Sequence, residues 1–211
     1  MKVELLSITS NPEKLIEIAG RTSHLSFNRQ GKKSEKNFIK MLIKRGHTSV
    51  LEHAYATFNI SGVSRVLTHQ LVRHRLCSFT QQSQRYVSEL NFKYIEPDSI
   101  KKNSKAHSLF IKFMEEARRV YSELKNLEIR NEDARFMLPN AIESQIVVSA
   151  NFREWRNIIE LRGNIGAQWE IRKLVIKILK QLKKNAPTAF EDFEIDQEKS
   201  TIRKIKNNFQ N

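Results

Sequence analysis

Ile171, Leu174, Val175, Ile178, Leu179 and Leu182 recur at helical spacing over residues 167–184, while Lys173, Lys177, Lys180 and Lys184 all fall off that stripe. A segment with this pattern forms an amphipathic helix that has to lay its apolar side on other elements. A second stripe, Phe110, Phe113, Met114, Ala117, Tyr121 and Leu124, predicts a long helix over 104–125. Shorter apolar faces predict helices after Asn11-Pro12 and after Ser34, the first with Asn11 as N-cap and Pro12 at the first helical position. Asn131–Met137, ended by Pro139, and 151–161 also read as helical.

Between these helices the pattern changes to alternation. Residues 3–8, Ala54–Ser61 and Ile142–Ala150 read as strands, the second broken by Gly62. Val63, Val66, Leu67, Gln70, Leu71 and His74 then make a helical stripe, and Leu76–Val87 reads as strand and loop. Strands and long helices alternate irregularly, so the fold class expected is α/β, a mixed α+β arrangement of long helices about a central sheet. No repeat, linker or boundary interrupts the chain, and its 211 residues suit a single catalytic domain, with about 194–211 as a polar tail that frays.

Lys and Arg number 37 against 23 Asp and Glu, a net charge of +14. Such a surplus favours anionic partners: nucleic acid, phosphorylated small molecules or anionic lipid. No apolar run approaches the roughly 20 residues of a membrane span, and no apolar signal segment follows Met1-Lys2, so a cytoplasmic chain is expected. The one cysteine, Cys77, excludes an internal disulfide and a Cys-built metal site, and no metal-ligand spacing occurs.

The basic residues of Gly62–Tyr94 are Arg65, Arg73, Arg75, Arg85 and Lys93, against the single acid Glu89. Arg73 and Arg75 flank His74, and two guanidiniums so placed suit an anion between them. Gln70 and His74 sit on an apolar stripe, where a buried amide or imidazole needs a polar partner from protein or ligand. If the chain is extended beyond Leu76, then Gln81, Ser83 and Arg85 share a face that could hold a phosphate and read a base or sugar edge.

Arg73-His74-Arg75, then seven residues, then Ser83 resembles the signature of the flavin-dependent thymidylate synthases. Other segments resemble the same family in the same order. They are His47-Thr48-Ser49-Val50-Leu51-Glu52-His53, Ser64-Arg65 with Gln70, Ala134-Arg135 through Leu138-Pro139, Asn151-Phe152-Arg153 with Asn157, and Leu161-Arg162 with Ala167 to Arg172. The resemblance covers residues 1–184.

It implies an FAD-dependent methyltransferase that makes dTMP from dUMP in pyrimidine deoxynucleotide biosynthesis. Methylenetetrahydrofolate would be the carbon donor and NADPH the reductant, acting through FAD, with no cysteine nucleophile. It further implies a homotetramer with flavin sites where subunits meet. By the same resemblance Gln70, Arg73, Gln81, Gln82, Ser83, Gln84, Arg85, Arg135 and Arg162 would bind dUMP. His53, Arg73, His74, Arg75, Gln81, Asn151, Arg153 and Asn157 would bind FAD. Arg162 would be the catalytic residue, binding the uracil ring and favouring ionisation at N3. Gln81 and Thr80 depart from the Glu and Asn that many members carry there.

Cys77 lies inside the motif, yet the family signature does not include it and no adjacent base is evident, so packing is its expected role. The main rival to an enzyme is a nucleic-acid-binding protein, on the basic face of 172–184 and the aromatics Phe79, Tyr86, Phe92 and Tyr94. No helix-turn-helix, zinc-finger or RNA-recognition spacing supports it, and neither nucleic acid nor membrane is an expected partner. A non-catalytic flavoprotein of the same fold is the second rival, opposed by the presence of Arg73, Arg75, Ser83, Arg85 and Arg162. There is no Gly-x-Gly-x-x-Gly segment, which fits a dinucleotide bound outside any Rossmann unit.

Overall fold

The long apolar stripes become helices and the alternating segments become strands, giving the mixed α/β class expected from the pattern. The computed structural model describes residues 1–205. In chain order it has β1 (Lys2–Ile8), α1 (Pro12–Thr22), α2 (Ser34–Lys44), a 3-10 turn (Thr48–His53), β2 (Tyr55–Ser64), α3 (Arg65–Leu71) and β3 (Ser78–Gln81). There follow α4 (Asp98–Lys101), α5 (Ser104–Asn126), α6 (Asn131–Ala134) with a 3-10 turn (Arg135–Met137), β4 (Glu143–Asn151), α7 (Phe152–Gly163), α8 (Trp169–Asn185), a 3-10 turn (Thr188–Phe190), β5 (Phe193–Asp196) and β6 (Thr201–Lys204). Strands β1, β2, β4 and β3 lie in that order in one sheet, and β5 pairs with β6 in another.

The chain divides into two compact units. One comprises Met1–Lys2, Ile60–Gln70 and Thr80–Ile146; the other comprises Val3–Asn59, Leu71–Phe79 and the residues from Val147 onward. In the first, Phe92, Met114, Ala117 and Ile142 form the buried core, with Tyr94 packed edge-on to Phe110 at 5.6 Å. In the second, all six residues of the α8 stripe are fully buried. Each of those side chains contributes about 1.5–3 kcal/mol relative to its exposed state, which is why α8 forms where the pattern placed it. Trp155 packs edge-on to Phe58 at 5.1 Å and donates its indole N–H to the Ala56 carbonyl at 3.0 Å.

Four local expectations are corrected. Asn11 precedes α1 in a left-handed conformation and its side chain makes no cap bond, although Pro12 does occupy the first turn. Gly62 does not break β2: its positive φ lets the strand continue to Ser64 where a Cβ would lie 3.0 Å from the Met1 nitrogen. The helix expected from Val63 to His74 is only Arg65–Leu71. Val63 and Ser64 complete β2, and the Ser64 hydroxyl accepts the Leu67 N–H at 3.1 Å, starting the helix there. The tail expected from 194 is, as far as Lys204, an antiparallel hairpin pairing Phe193 with Lys204 and Ile195 with Ile202. The tail from 206 to 211 lies outside the described residues. Gly163 admits this hairpin, since a Cβ on it would meet the Ile202 Cβ at 2.7 Å.

Candidate functional site

Asn151-Phe152-Arg153-Glu154 has the spacing of a capping box, in which an N-cap side chain takes the N–H three residues on and the acid there reaches back. Half of that exchange forms. Asn151 Oδ1 accepts the Glu154 N–H at 2.8 Å and starts α7. The Glu154 carboxylate turns inward instead, 4% exposed, to His74 Nδ1 at 3.2 Å and to Asn157 Nδ2 at 3.3 and 3.2 Å. On the other side of the imidazole, Arg162 Nε donates to His74 Nε2 at 3.0 Å.

That last bond identifies the tautomer of His74. A guanidinium can only donate, so Nε2 carries the lone pair and Nδ1 carries the proton that Glu154 accepts. Burial, with the Arg162 charge beside it, holds the imidazole below its ordinary 6.5, against the opposing pull of Glu154. His74 is therefore a neutral, buried bridge between a carboxylate and a guanidinium. Its polar position on an apolar stripe is satisfied by protein, one of the two possibilities the stripe left open. The same pull explains the early end of α3: Arg73, His74 and Arg75 lie in the turns beyond Leu71, with only the flanking arginines exposed.

Cys77 follows in the same unit, half-buried. Burial, and secondarily the Glu154 carboxylate, push its thiol up to about 12. It is a thiol at neutral pH and a poor nucleophile, in keeping with a packing role.

Arg153 and Asn157 also line a cleft of about 260 Å³ with Thr48, Arg156, Glu160 and Lys204. Arg156 is structural, bound in a two-point pair to Asp192 at 2.7 and 2.6 Å. Arg153 meets Glu52 at 2.5 Å and Lys204 meets Glu160 at 2.7 Å, both pairs in solvent. Exposed pairs of this kind are worth about 0–1 kcal/mol, so an anionic ligand can displace their carboxylates. Guanidinium, ammonium and amide donors on one cleft suit a diphosphate, so these residues fit part of a dinucleotide. His53 ends the 3-10 turn before β2, exposed.

The other unit holds the rest of the expected residues. Gln81 Nε2 donates to the hydroxyls of Thr68 at 3.0 Å and Ser144 at 3.1 Å. Gln81, at a position where the resemblance leads to an expectation of Glu, uses its amide as a donor to these two hydroxyl oxygens. Gln82 donates to Glu89 Oε1 at 3.1 Å. Glu132 gathers two of the arginines, accepting Arg85 Nε on its carboxylate at 2.7 Å and Arg135 Nε on its carbonyl at 3.1 Å. Burial and the Arg135 charge both lower the affinity of Arg65 for its proton, opposed by Glu89. Arg65, Arg85 and Arg135 thus form a cationic group able to take a phosphate. Gln84 is buried, and Gln70 bonds the Val66 carbonyl one turn back at 3.3 Å.

The extended face expected for Gln81, Ser83 and Arg85 does not form. The strand stops at Gln81, and Ser83 opens a turn, its hydroxyl taking the Arg85 N–H at 3.2 Å and its carbonyl the Val87 N–H at 3.0 Å. Chain pattern missed Glu154, Glu89 and Glu132 as site-organising acids. The only signal for Glu154 was its capping-box spacing, which points to a helix start rather than to His74.

Residues 4–188 match the model of the family described as thymidylate synthase complementing protein. A flavin-dependent thymidylate synthase of Corynebacterium efficiens is 41% identical over 201 residues, covering 87% of this chain and 80% of its own. Proteins of the same name from Thermococcus onnurineus and Geobacter sulfurreducens are 38% and 40% identical, covering 88% and 91% of this chain and 80% and 86% of theirs. The chain belongs to the thymidylate synthase complementing protein family, that of the flavin-dependent thymidylate synthases.

Proposed function

We propose that this chain is a flavin-dependent thymidylate synthase, converting dUMP to dTMP as a single catalytic domain. The observation that carries the reading is the match to relatives of that name, two of them covering 87% and 92% of this chain. Bound FAD, reduced by NADPH, would supply the reducing equivalents, and methylenetetrahydrofolate the carbon.

The chain's own residues supply binding and field. Arg162 would place its guanidinium on the uracil ring and favour the N3 anion, raising electron density at C5. Its Nε–H is already spent on His74, so its orientation is set before the nucleotide arrives. Arg85 and Arg135, with Arg65 beside them, would take the phosphate. Ser83, Gln81, Gln82, Gln84 and Gln70 would line the nucleotide, with Arg73 near both ligands. Arg75, Asn151, Arg153, Asn157 and His53 would hold the flavin. His74 is buried with both ring nitrogens committed within the chain, so it would serve a flavin site by fixing its neighbours and not by a hydrogen bond of its own. Cys77 takes no part, since its thiol stays protonated.

The cleft carrying Arg153 and Asn157, about 260 Å³, is smaller than the roughly 300–1,000 Å³ usual for ligand pockets. By the family resemblance the flavin site would be completed by another subunit of a homotetramer, which the solution mass would test. The use of NADPH as co-substrate would place the enzyme in the cytoplasm. The reading is tested by the absorption spectrum of the purified protein after FAD loading and gel filtration. A retained flavin band, bleached by NADPH faster with dUMP present, is expected. Absence of retained flavin with dUMP supplied would remove the proposed chemistry.

A further inference from the structure

We propose that Glu154 is a positioning residue for Arg162, acting through His74: its buried carboxylate holds the proton on Nδ1, which leaves Nε2 free to accept the Arg162 Nε–H and fix the plane of the guanidinium. This rests on the reading that Arg162 meets the uracil ring.

Three observations bear it. Glu154 is 4% exposed, so His74 and Asn157 supply its carboxylate with the hydrogen bonds that water would otherwise make. A buried carboxylate on a helix start would ordinarily complete the capping box; this one leaves Asn151 to cap alone and reaches across to residue 74. The imidazole is itself 5% exposed, with Glu154 on one nitrogen at 3.2 Å and Arg162 on the other at 3.0 Å. Neutral histidine has two tautomers, and only the Nδ1–H form satisfies both neighbours. In the other form Nε2–H would point at the Arg162 Nε–H, donor against donor. The titratable groups that act on the ring are Glu154 and Arg162, both of α7, and of these only Glu154 can accept the Nδ1 proton.

Chemically the arrangement is a carboxylate orienting an imidazole, as in metal-ligand and triad sites, with a guanidinium where a metal or a hydroxyl would stand. It moves no proton. Its effect is to hold Arg162 in one orientation, so that binding a nucleotide does not have to order a long, flexible side chain.

The test uses the full chain labelled with ¹⁵N-histidine, whose six histidines are assigned by loss of one signal in His74→Gln. In the wild-type protein without flavin or nucleotide at neutral pH, the ring ¹⁵N shifts of His74 should report the Nδ1–H tautomer. Glu154→Gln keeps an acceptor oxygen, so it should keep that tautomer and a near-wild-type dUMP affinity in the FAD-loaded protein. Glu154→Ala removes the acceptor; His74 should shift toward Nε2–H, and dUMP affinity should fall on the order of tenfold, the loss of one hydrogen bond to a charged group. An Nε2–H tautomer in wild type overturns the proposal, whether or not the Ala variant folds. So does a Glu154→Gln variant as impaired as Glu154→Ala, because charge and not acceptance would then be at work. Wild-type protein that shows the Nδ1–H tautomer but does not bind dUMP would sink the role assigned to Arg162 and leave the Glu154–His74 geometry standing.

Discussion

Replacing Gly163 by Ala tests how the C-terminal hairpin braces α7, the helix that carries Arg153, Glu154, Asn157 and Arg162. The position ends the helix, where the preference of about 0.5–1 kcal/mol for alanine over glycine that holds in a helix interior is reduced. Opposing this, the new Cβ would lie 2.7 Å from Ile202 Cβ, 3.0 Å from Cδ1 and 3.1 Å from Cγ1. All are well inside the roughly 3.5–4.0 Å optimum for carbon pairs. Ile202 is 5% exposed, and the closest atom is its Cβ, which can move only with its backbone. Overpacking of this kind costs about 1–3 kcal/mol, so the clash wins by about 1 kcal/mol. Urea unfolding at fixed protein concentration reads the change. Ile202→Ala alone should cost about 2–3 kcal/mol from lost burial. The double variant should be less destabilised than the two singles added, by about 0.5–1 kcal/mol, because removing Cγ1 and Cδ1 relieves part of the crowding. A Gly163→Ala protein more stable than wild type, or two effects that add, would refute the close approach of hairpin and helix.

Three other expectations follow from the site. His74 has a folded-state pKa below its ordinary 6.5, so the unfolded chain takes the proton first; the stability its neutral form contributes is complete above that value and is lost as pH falls through the folded one. Urea midpoints at pH 7.5 and 5.5 should therefore fall further in wild type than in His74→Gln, and equal falls would contradict a buried neutral imidazole. Cys77→Ala should keep dTMP formation; an inactive variant of normal fold would restore the cysteine as a nucleophile. Arg135→Ala should weaken dUMP binding about tenfold, as loss of a charge-assisted bond does, while deoxyuridine, lacking the phosphate, should bind wild type and variant alike. An equal loss for both ligands would place Arg135 away from the phosphate.

What the sequence made legible is what a single element decides for itself. The stripe of α8 and the alternation of β4 each specify their own element, because the apolar face must be buried whatever covers it; α5 forms where its stripe placed it, but Phe113 of that stripe stays exposed. The Arg-His-Arg segment marked a site for similar reasons, since so many cations need an anion. What escaped reading depended on partners distant in sequence. Val63 and Ser64 share helical spacing with Leu67 but are held in β2. His74 leaves the helix because Glu154 and Arg162, 80 and 88 residues away, hold its ring. Ser83 and Arg85 turn out of strand geometry, and Glu132 gathers Arg85 and Arg135 from a stretch without any motif. The hairpin past Pro187 is short and polar, and only Phe193 and Ile202, both buried, betray that it packs at all.

The central claim is chemical, and the product tests it most directly. FAD-loaded protein would be supplied with NADPH, dUMP and methylenetetrahydrofolate carrying a ¹³C methylene, and the nucleotide weighed by mass spectrometry. The account predicts dTMP bearing the ¹³C label in its methyl group, formed only when FAD is present and lost in Arg162→Ala. Protein that retains FAD yet returns dUMP unchanged would contradict it.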